Sequence, residues 1–463
     1  MMYARFLLLA VGFLSLSAQA RDLPAVNKEA LEASIAQATP GDTIILTDGV
    51  WKDVKITFRA QGTAEHPITL RAQTPGKAIL SGQSQILIAG SHLVVDGLLF
   101  KDGSLASSAA ISFRGKTDEF ATDCRVTNTA IIDYNPPLEE GKSSVWVSLY
   151  GSRNRVDHCL FKGKNNESPL MIVWLNGGEP NQHRIDSNFF RDRTFNGKNG
   201  GETIRVGDSK TSLQVSRTLV ENNLFESCDG EVEIISNKSC ENVYRNNTFR
   251  GNAGTLTLRH GNRCLVEGNY FLGAGKASSG GVRIIGEEHR VLNNYFADLT
   301  GDGFYSAIGF MAGIPNSQPF EYVQIKKAVV AFNTVVNCRS TLLFGIGFGS
   351  RNRILPAEDC TIANNILVGQ SAPLISFLVQ PTQPTWEGNI AFGAAPGLTS
   401  PGLREENPKL VLGADGLWQL AKDSPALGQA TGHFPEITSR NPGATLKAPP
   451  LTSKDAGPSW ESL

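Results

Sequence analysis

Four charged residues have types and spacing that can support catalysis. Glu231 and Glu233 lie two positions apart, Lys238 follows five positions later, and Arg259 follows after a further 21. Residues two apart on a strand point to the same side, and two carboxylates that face one way repel each other unless a positive charge lies between them. Either a bound cation or the Lys/Arg pair must therefore supply that charge.

The four residues lie within a repeated pattern in which Asn is followed, after one residue, by Phe or another apolar residue. Four of the Phe residues, Phe225, Phe249, Phe271 and Phe296, are separated by 24, 22 and 25 positions. This period is typical of a solenoid, and the short apolar runs between Gly, Asn and Asp predict short strands. We therefore predict an all-β chain that folds as a right-handed parallel β-helix.

In a parallel β-helix, each strand pairs with the equivalent strand of the next coil, about 4.8 Å away. Lys238 and Arg259 are about one coil apart and are expected to be neighbours. The repeated Asn side chains are expected to stack as a structural ladder and not to bind sugar. These residues are Asn188, Asn223, Asn247, Asn269, Asn294, Asn333, Asn365 and Asn389.

The sequence divides into three predicted segments. Residues 1–20 contain an apolar run followed by Ala18-Gln19-Ala20, which is typical of a cleaved signal peptide, so a periplasmic or secreted protein is expected. Residues 21–395 are expected to form the β-helix, with a short capping helix over 27–38 covering its N-terminal end. Residues 396–463 are expected to pack on the last coil and to end in an extended or loosely ordered tail over 438–463.

The composition argues against several classes of function. The net charge of -1 gives no global attraction to nucleic acid, and only a local group of basic residues around the acidic pair favours an anionic partner. Apart from the signal peptide, no stretch is apolar enough for membrane insertion. The seven cysteines show no zinc spacing and are expected to be mostly free and buried. A monomer and a small homo-oligomer are equally compatible with the sequence.

The run from 222 to 271, NNLFESCDGEVEIISNKSCENVYRNNTFRGNAGTLTLRHGNRCLVEGNYF, resembles the core of polysaccharide lyase family 6. That family contains alginate lyases and the dermatan-cleaving chondroitinase B, and the resemblance covers most of the chain after the signal peptide. It implies a Lys base, an Arg acid and a calcium ion. Carried over by position, it implies Lys238 as base, Arg259 as acid, Asn199, Glu231 and Glu233 as Ca²⁺ ligands, and His260 and Arg283 as substrate contacts.

The residue types suit the elimination of a 4-linked uronic acid. The C5 proton is only weakly acidic because the adjacent carboxylate resists further negative charge, and a hard cation with oxygen ligands can neutralise that carboxylate. Arg205 and Tyr244 are further candidates for the substrate groove. Trp174 is expected to pack within the protein, since nothing in the sequence places it in the groove. The sequence therefore predicts a calcium-dependent alginate lyase of the poly(β-D-mannuronate) lyase type, acting on an acidic polysaccharide.

Other interpretations remain open at this point. The charged residues can also form a solvated ladder of salt bridges, which contributes little energy. Chondroitinase B activity on dermatan sulfate would use the same catalytic residues, and a C5-epimerase would abstract the same proton. A non-catalytic β-helix that binds polysaccharide would be equally compatible with export and a repeat fold.

Overall fold

The computed structural model describes residues 19–137, 143–194 and 199–461, and these residues form the predicted parallel β-helix. Their strands align in three long parallel sheets of 14, 13 and 14 strands, here called sheets 1, 2 and 3. Each coil contributes a strand to each sheet in turn along most of the molecule. Residues 1–18 of the predicted signal peptide lie outside the described residues.

The strands of sheet 1 are Asp22–Ala25, Thr43–Leu46, Ile68–Ala72, Leu93–Asp96, Arg125–Thr127, Arg155–Asp157, Arg184–Asp186, Leu219–Glu221, Val243–Arg245, Leu265–Glu267, Arg290–Leu292, Val329–Ala331, Thr361–Ala363 and Thr385–Glu387. The strands of sheet 2 are Lys55–Gln61, Gln85–Ser91, Ile111–Ser112, Ala121–Thr122, Val147–Leu149, Met171–Val173, Ile204–Gly207, Glu233–Lys238, Gly254–His260, Ser279–Ile284, Ile308–Met311, Leu342–Ile346 and Ile375–Phe377. The strands of sheet 3 are Gly49–Lys52, Ala78–Gly82, Leu99–Gly103, Ala130–Ile132, Leu160–Lys162, Phe189–Arg193, Leu224–Cys228, Thr248–Arg250, Tyr270–Leu272, Tyr295–Ala297, Thr334–Val336, Ile366–Val368, Asn389–Phe392 and Leu403–Glu405.

The repeated Asn residues form a continuous ladder between sheets 1 and 3, as predicted. The Nδ2 group of Asn223 donates to Oδ1 of Asn247 at 3.0 Å, and Asn247 repeats the contact with Asn269. The same bond links each successive pair from Asn188 to Asn389. Each side chain also bonds to backbone groups, so buried turns that would otherwise leave polar groups unsatisfied are fully hydrogen-bonded.

The Phe residues of the repeat stack inside the coil, one position after another. Phe225 and Phe249 have ring centroids 4.6 Å apart, and Phe249 and Phe271 follow at 4.8 Å. Both the ladder and the stack repeat at the spacing between strands, which fixes the register of consecutive coils. The side chains of sheet 2 that alternate with the buried ones therefore point outward at defined positions.

A helix covers the N-terminal end of the solenoid, as predicted. It spans Lys28–Gln37, and Asn27 caps it by accepting a hydrogen bond from the backbone N–H of Ala30 at 2.9 Å. Leu31 and Ile35 are buried against the first coils. The helix therefore shields strand edges that would otherwise be open to pairing with another chain.

The C-terminal segment adds a hairpin and then an extended stretch, and an extended or loosely ordered tail is what the sequence predicts over 438–463. Sheet 3 continues to Glu405, and a two-stranded antiparallel hairpin follows with strands Leu410–Leu412 and Trp418–Leu420. Residues 440–461, here called the strap, then run back along the outer face of sheet 3 towards the N-terminal end.

Hydrogen bonds mark the path of the strap across the coils. The backbone N–H of Thr445 donates to Asn293 Oδ1, that of Leu451 to Thr248 Oγ1, and Trp460 Nε1 to the carbonyl of Asn128. A cavity of about 490 Å³ lies under the strap and the hairpin, away from the residues predicted to be catalytic. The strap thus covers sheet 3 and leaves the outer face of sheet 2 free of it.

Two further features of the described residues bear on the expectations. All seven cysteines are free and buried, which confirms that prediction. Within the same part of the chain, no helix is long and apolar enough to cross a lipid bilayer.

Candidate active site

Three buried glutamates meet at the outer face of sheet 2. Glu202 precedes the strand Ile204–Gly207, Glu231 precedes the next strand, Glu233–Lys238, and Glu233 is the first residue of that strand. One carboxylate oxygen from each lies within 4.8 Å of the other two, and all three residues are less than 10% exposed. We call these residues the acidic cluster. Glu231 and Glu233 lie on the same side, as their spacing predicts.

Two glycines allow the first two glutamates to approach each other. Gly201 directly precedes Glu202, and Gly230 directly precedes Glu231. A Cβ atom on Gly201 would lie 2.2 Å from the carbonyl oxygen of Gly230, and one on Gly230 would lie 2.0 Å from the carbonyl oxygen of Gly201. Since a side chain at either position would push the two backbones apart, the Gly-Glu pairs account for the local closeness of the carboxylates.

The environment of the acidic cluster disfavours three full negative charges. Burial raises the pKa of Glu231 to about 8, and the Glu202 and Glu233 carboxylates add to that rise. Oε1 of Glu231 and Oε2 of Glu202 are buried and have no hydrogen-bond partner among the described residues. Two orphaned carboxyl oxygens at one place are unusual in a folded protein. They fit a hard cation with oxygen ligands, such as Ca²⁺.

Lys238 and Arg259 each lie beside a different glutamate of the acidic cluster. Nζ of Lys238 is 3.7 Å from Oε1 of Glu202, and Nε of Arg259 is 3.9 Å from Oε1 of Glu233. Their side chains are 16% and 18% exposed, so a ligand above the sheet can reach both. The strands are adjacent, as predicted, although an irregularity after Asn237 makes His260 the direct register partner of Lys238.

A loop between sheets 2 and 1 holds the Arg259 side chain. Nη1 of Arg259 donates to the backbone carbonyl of Glu321 at 2.7 Å, and its guanidinium carbon lies 4.4 Å from the ring centroid of Tyr322. The guanidinium carbon of Arg353 lies 4.8 Å from the same centroid. Tyr322 therefore contacts two cations, and its ring restricts where the Arg259 guanidinium can lie.

Arg283 and His260 complete the buried part of the site. Arg283 Nη2 donates to Glu233 Oε1, and its side chain is only 4% exposed. The ring of Phe304 lies 5.3 Å from the Arg283 guanidinium carbon. His260 Nδ1 lies 3.2 Å from Ser212 Oγ, and its Nε2 is buried. Burial, followed by the charges of Arg259 and Lys238, lowers the pKa of His260 to about 3. His260 is therefore neutral near pH 7.

Arg205 and Asn199 are also predicted site residues, and neither belongs to the acidic cluster. Arg205 projects from the outer face of sheet 2, with its guanidinium carbon 5.3 Å from the Trp174 ring centroid. Asn199 is exposed, and the N–H of the following Gly200 donates to Glu231 Oε2 at 3.1 Å. The role of Asn199 as a metal ligand stays a prediction.

The prediction that Tyr244 lines the groove is wrong. Tyr244 is 0% exposed, and its hydroxyl donates to Asn237 Oδ1 at 2.8 Å inside the coil. Its register partners in the neighbouring coils are Val220 and Val266, which are both buried. This position of sheet 1 therefore points to the core, where no substrate can reach.

Two residues of the site were missed from the sequence. Glu202 lies 29 positions before Glu231, about one coil, so the repeat that relates Lys238 to Arg259 also carries the signal for Glu202. Tyr322 lies between repeats, and no sequence pattern marks it.

The family model described as Chondroitinase B matches residues 25–375. A search of the curated proteins found no match.

Several solved structures are similar to the chain. The PL6 family alginate lyase AlyGC is 38% identical over 95% of this chain and 59% of its own, with a TM-score of 0.87. A mannuronic acid specific polysaccharide family 6 lyase from human gut microbiota is 30% identical over 83% of this chain and 90% of its own, with a TM-score of 0.73. The PL6 family polysaccharide lyase Pedsa3628 from Pseudopedobacter saltans is 28% identical over 95% of this chain and 100% of its own, with a TM-score of 0.74. The chain thus spans 59% of the length of AlyGC.

Proposed function

The chain belongs to polysaccharide lyase family 6, and on that premise we propose that it cleaves a 4-linked uronic-acid polysaccharide by calcium-assisted β-elimination. The observation that carries the proposal is the acidic cluster with Lys238 beside Glu202 and Arg259 beside Glu233. A surface salt-bridge ladder would be exposed to solvent and have its carboxylates paired. Here the carboxylates are buried, and two of their oxygens have no hydrogen-bond partner among the described residues.

The reaction breaks the C5–H and C4–O4 bonds of one sugar and forms a C4=C5 double bond. Glu202, Glu231 and Glu233, with Asn199, would hold Ca²⁺, which would neutralise the substrate carboxylate and help to stabilise the charge that develops as C5 loses its proton. Lys238 accepts the C5 proton at Nζ. Arg259, held by Glu321 and Tyr322, lies where it can stabilise negative charge on the departing O4, which takes up a proton from Arg259 or from water.

The buried groups around the cluster position these residues. Arg283 donates a hydrogen bond to Glu233 and fixes that carboxylate. To contact substrate as proposed, the Arg283 guanidinium must share this bond with the substrate or exchange it for a bond to the substrate. Neutral His260 lies beside both Lys238 and Arg259, and its contact with substrate stays a prediction. Neither residue is proposed to transfer the C5 proton.

Alginate that contains mannuronate is the proposed substrate. Support comes from the similar solved structures, which are described as alginate lyases and in one case as mannuronic acid specific. The family model described as Chondroitinase B favours dermatan sulfate as the second candidate. Since alginate is extracellular, a periplasmic or secreted location, with residues 1–20 removed, completes the proposal.

The proposal is tested by incubating residues 21–463 with alginate, polymannuronate, polyguluronate or dermatan sulfate and recording the ultraviolet absorbance of the unsaturated product. A rise with alginate and polymannuronate that chelator abolishes and Ca²⁺ restores is expected. A rise with dermatan sulfate alone would establish the second candidate, and no rise with any polymer would refute lyase activity. Lys28→Ala, at an exposed position on the N-terminal helix, is the control for Lys238→Ala.

A further inference from the structure

Three aromatic rings form a column on the outer surface of sheet 2. Tyr150 stacks on Phe120 with centroids 6.2 Å apart, and Trp174 stacks on Tyr150 at 5.7 Å. The planes of each pair lie within 18° of parallel, and all three side chains are half-buried. Trp174 Nε1 donates to Ser148 Oγ at 3.3 Å, which fixes the indole. We call Phe120, Tyr150 and Trp174 the aromatic column.

The aromatic column leads directly to Lys238. Val173 pairs with Val206, so Trp174 and Gly207 occupy the next position on their two strands, and Gly207 pairs with Lys238. A Cβ on Gly207 would lie 2.6 Å from the carbonyl oxygen of Lys238, so glycine at this position lets the two strands approach each other closely. At about 4.8 Å per strand, Trp174 lies about 10 Å and Tyr150 about 14 Å from the position of Lys238 along the solenoid.

Two arginines accompany the column and lack carboxylate partners. The guanidinium carbon of Arg114 is 4.0 Å from the Tyr150 ring centroid, and that of Arg205 is 5.3 Å from the Trp174 centroid. Neither forms a salt bridge with another described residue, and Nε of Arg205 is buried without a hydrogen-bond partner. Most arginines near the site, including Arg259 and Arg283, do contact a carboxylate. The two guanidinium groups are thus available to an external anion.

We infer that the aromatic column, with Arg114 and Arg205, binds the part of an anionic polysaccharide that extends beyond the sugar at Lys238. The rings provide apolar surface for the C–H faces and edges of sugar units, and the arginines pair with their carboxylates. The alternative is that the rings pack only on one another, as the Phe stack does inside the coil. A stack that only packs on itself needs no unpaired cations beside it. The presence of Arg114 and Arg205 without carboxylate partners therefore favours a surface that binds a ligand.

The inference rests on the proposed function and predicts a dependence on chain length. Only a polymer that reaches about two to three strands past Lys238 contacts the column. Trp174→Ala and Tyr150→Ala are therefore expected to lower kcat/KM by about tenfold for polymannuronate, or about 1.4 kcal/mol. For the shortest oligomer that the wild type cleaves, the same variants are expected to retain kcat/KM within about twofold. Phe392→Ala, an exposed aromatic on the last coil, is the control.

A binding measurement without turnover separates this inference from the proposed function. Electrophoresis through a gel containing alginate, with chelator present, is expected to retard the wild type and Phe392→Ala but to retard Trp174→Ala less. Arg114→Gln is expected to make retardation less dependent on salt concentration, because the variant lacks an ionic contact that salt screens in the wild type. Equal losses for short and long substrates, or unchanged retardation of Trp174→Ala, would overturn the inference. A wild type that cleaves no uronan would instead refute the proposed function.

Discussion

Calcium binding at the acidic cluster is predicted to weaken as the pH falls below about 8. Burial and the neighbouring Glu202 and Glu233 carboxylates raise the pKa of Glu231 to about 8 in the metal-free protein. A carboxylate ligand binds a cation in its ionised form, so a protonated Glu231 must release its proton on binding. Protons therefore compete with Ca²⁺ at and below neutral pH.

The size of the effect follows from the fraction of Glu231 that is ionised. With a pKa of about 8, that fraction falls from about one half at pH 8 to about 1% at pH 6. The apparent Kd is therefore expected to rise about 50-fold over this range, which is about 2 kcal/mol of binding free energy. The stability of the metal-free protein depends on pH in the opposite sense. Above pH 4.5 the unfolded chain loses the Glu231 proton, whereas the folded chain keeps it up to about pH 8. The free energy of unfolding of the metal-free protein is therefore expected to fall as the pH rises from 4.5 towards 8.

Isothermal titration calorimetry on chelator-treated protein at pH 6, 7 and 8 measures this dependence. Repeating it in buffers of different ionisation enthalpy counts the protons released, and about one per Ca²⁺ is expected at pH 6. Glu226→Gln provides a matched control, because Glu226 lies in sheet 3 and pairs with Arg250 at 3.3 Å. Its affinity should follow the wild type at every pH. Equal wild-type Kd values at pH 6 and 8, or a Glu231→Gln variant that binds Ca²⁺ as tightly as the wild type, would refute the reasoning.

Three further predictions concern single residues. Lys238→Ala should abolish product formation while the thermal unfolding midpoint stays within a few degrees of the wild type, and measurable turnover in a folded variant would remove Lys238 as the base. Tyr322→Ala should reduce kcat by about tenfold with little change in KM, because it frees the Arg259 guanidinium. Tyr322→Phe keeps the ring and should retain most activity. Steady-state kinetics of both variants measures this, and equal losses of activity would show that the hydroxyl and not the ring is responsible. Gly230→Ala should weaken Ca²⁺ binding measured by calorimetry, since its Cβ would collide with the Gly201 carbonyl, and unchanged affinity would show that the backbones can separate without moving the carboxylates.

The architecture can be predicted from the sequence because the pattern of Asn and Phe residues is repeated along the chain. The Asn and Phe residues recur once per coil and meet their own copies in the structure, so spacing along the chain translates directly into contact. The same logic correctly brings Glu231 and Glu233 together and places Lys238 and Arg259 on adjacent strands.

Prediction fails where the repeat is not applied to a residue or does not determine its position. The groove prediction for Tyr244 conflicts with the repeat, because Val220 and Val266, its equivalents in adjacent coils, indicate an inward position. Tyr322 lies on a loop whose path depends on packing against Arg259 and Arg353, which one sequence does not encode in any period. The strap contacts residues hundreds of positions away, and no local pattern reveals such a partner.

The strap also changes how the solenoid is expected to come apart. In a stack whose units touch only their neighbours, end units can detach one at a time. Here, Trp460 is hydrogen-bonded to Asn128, and its ring lies where a Cβ on Gly76 would be, so the chain terminus is fastened near the opposite end of the molecule. Unfolding of the last coils would release the strap and expose the apolar surface that it covers on many other coils. Thermal unfolding is therefore expected to be one cooperative transition, without stepwise unfolding from the ends.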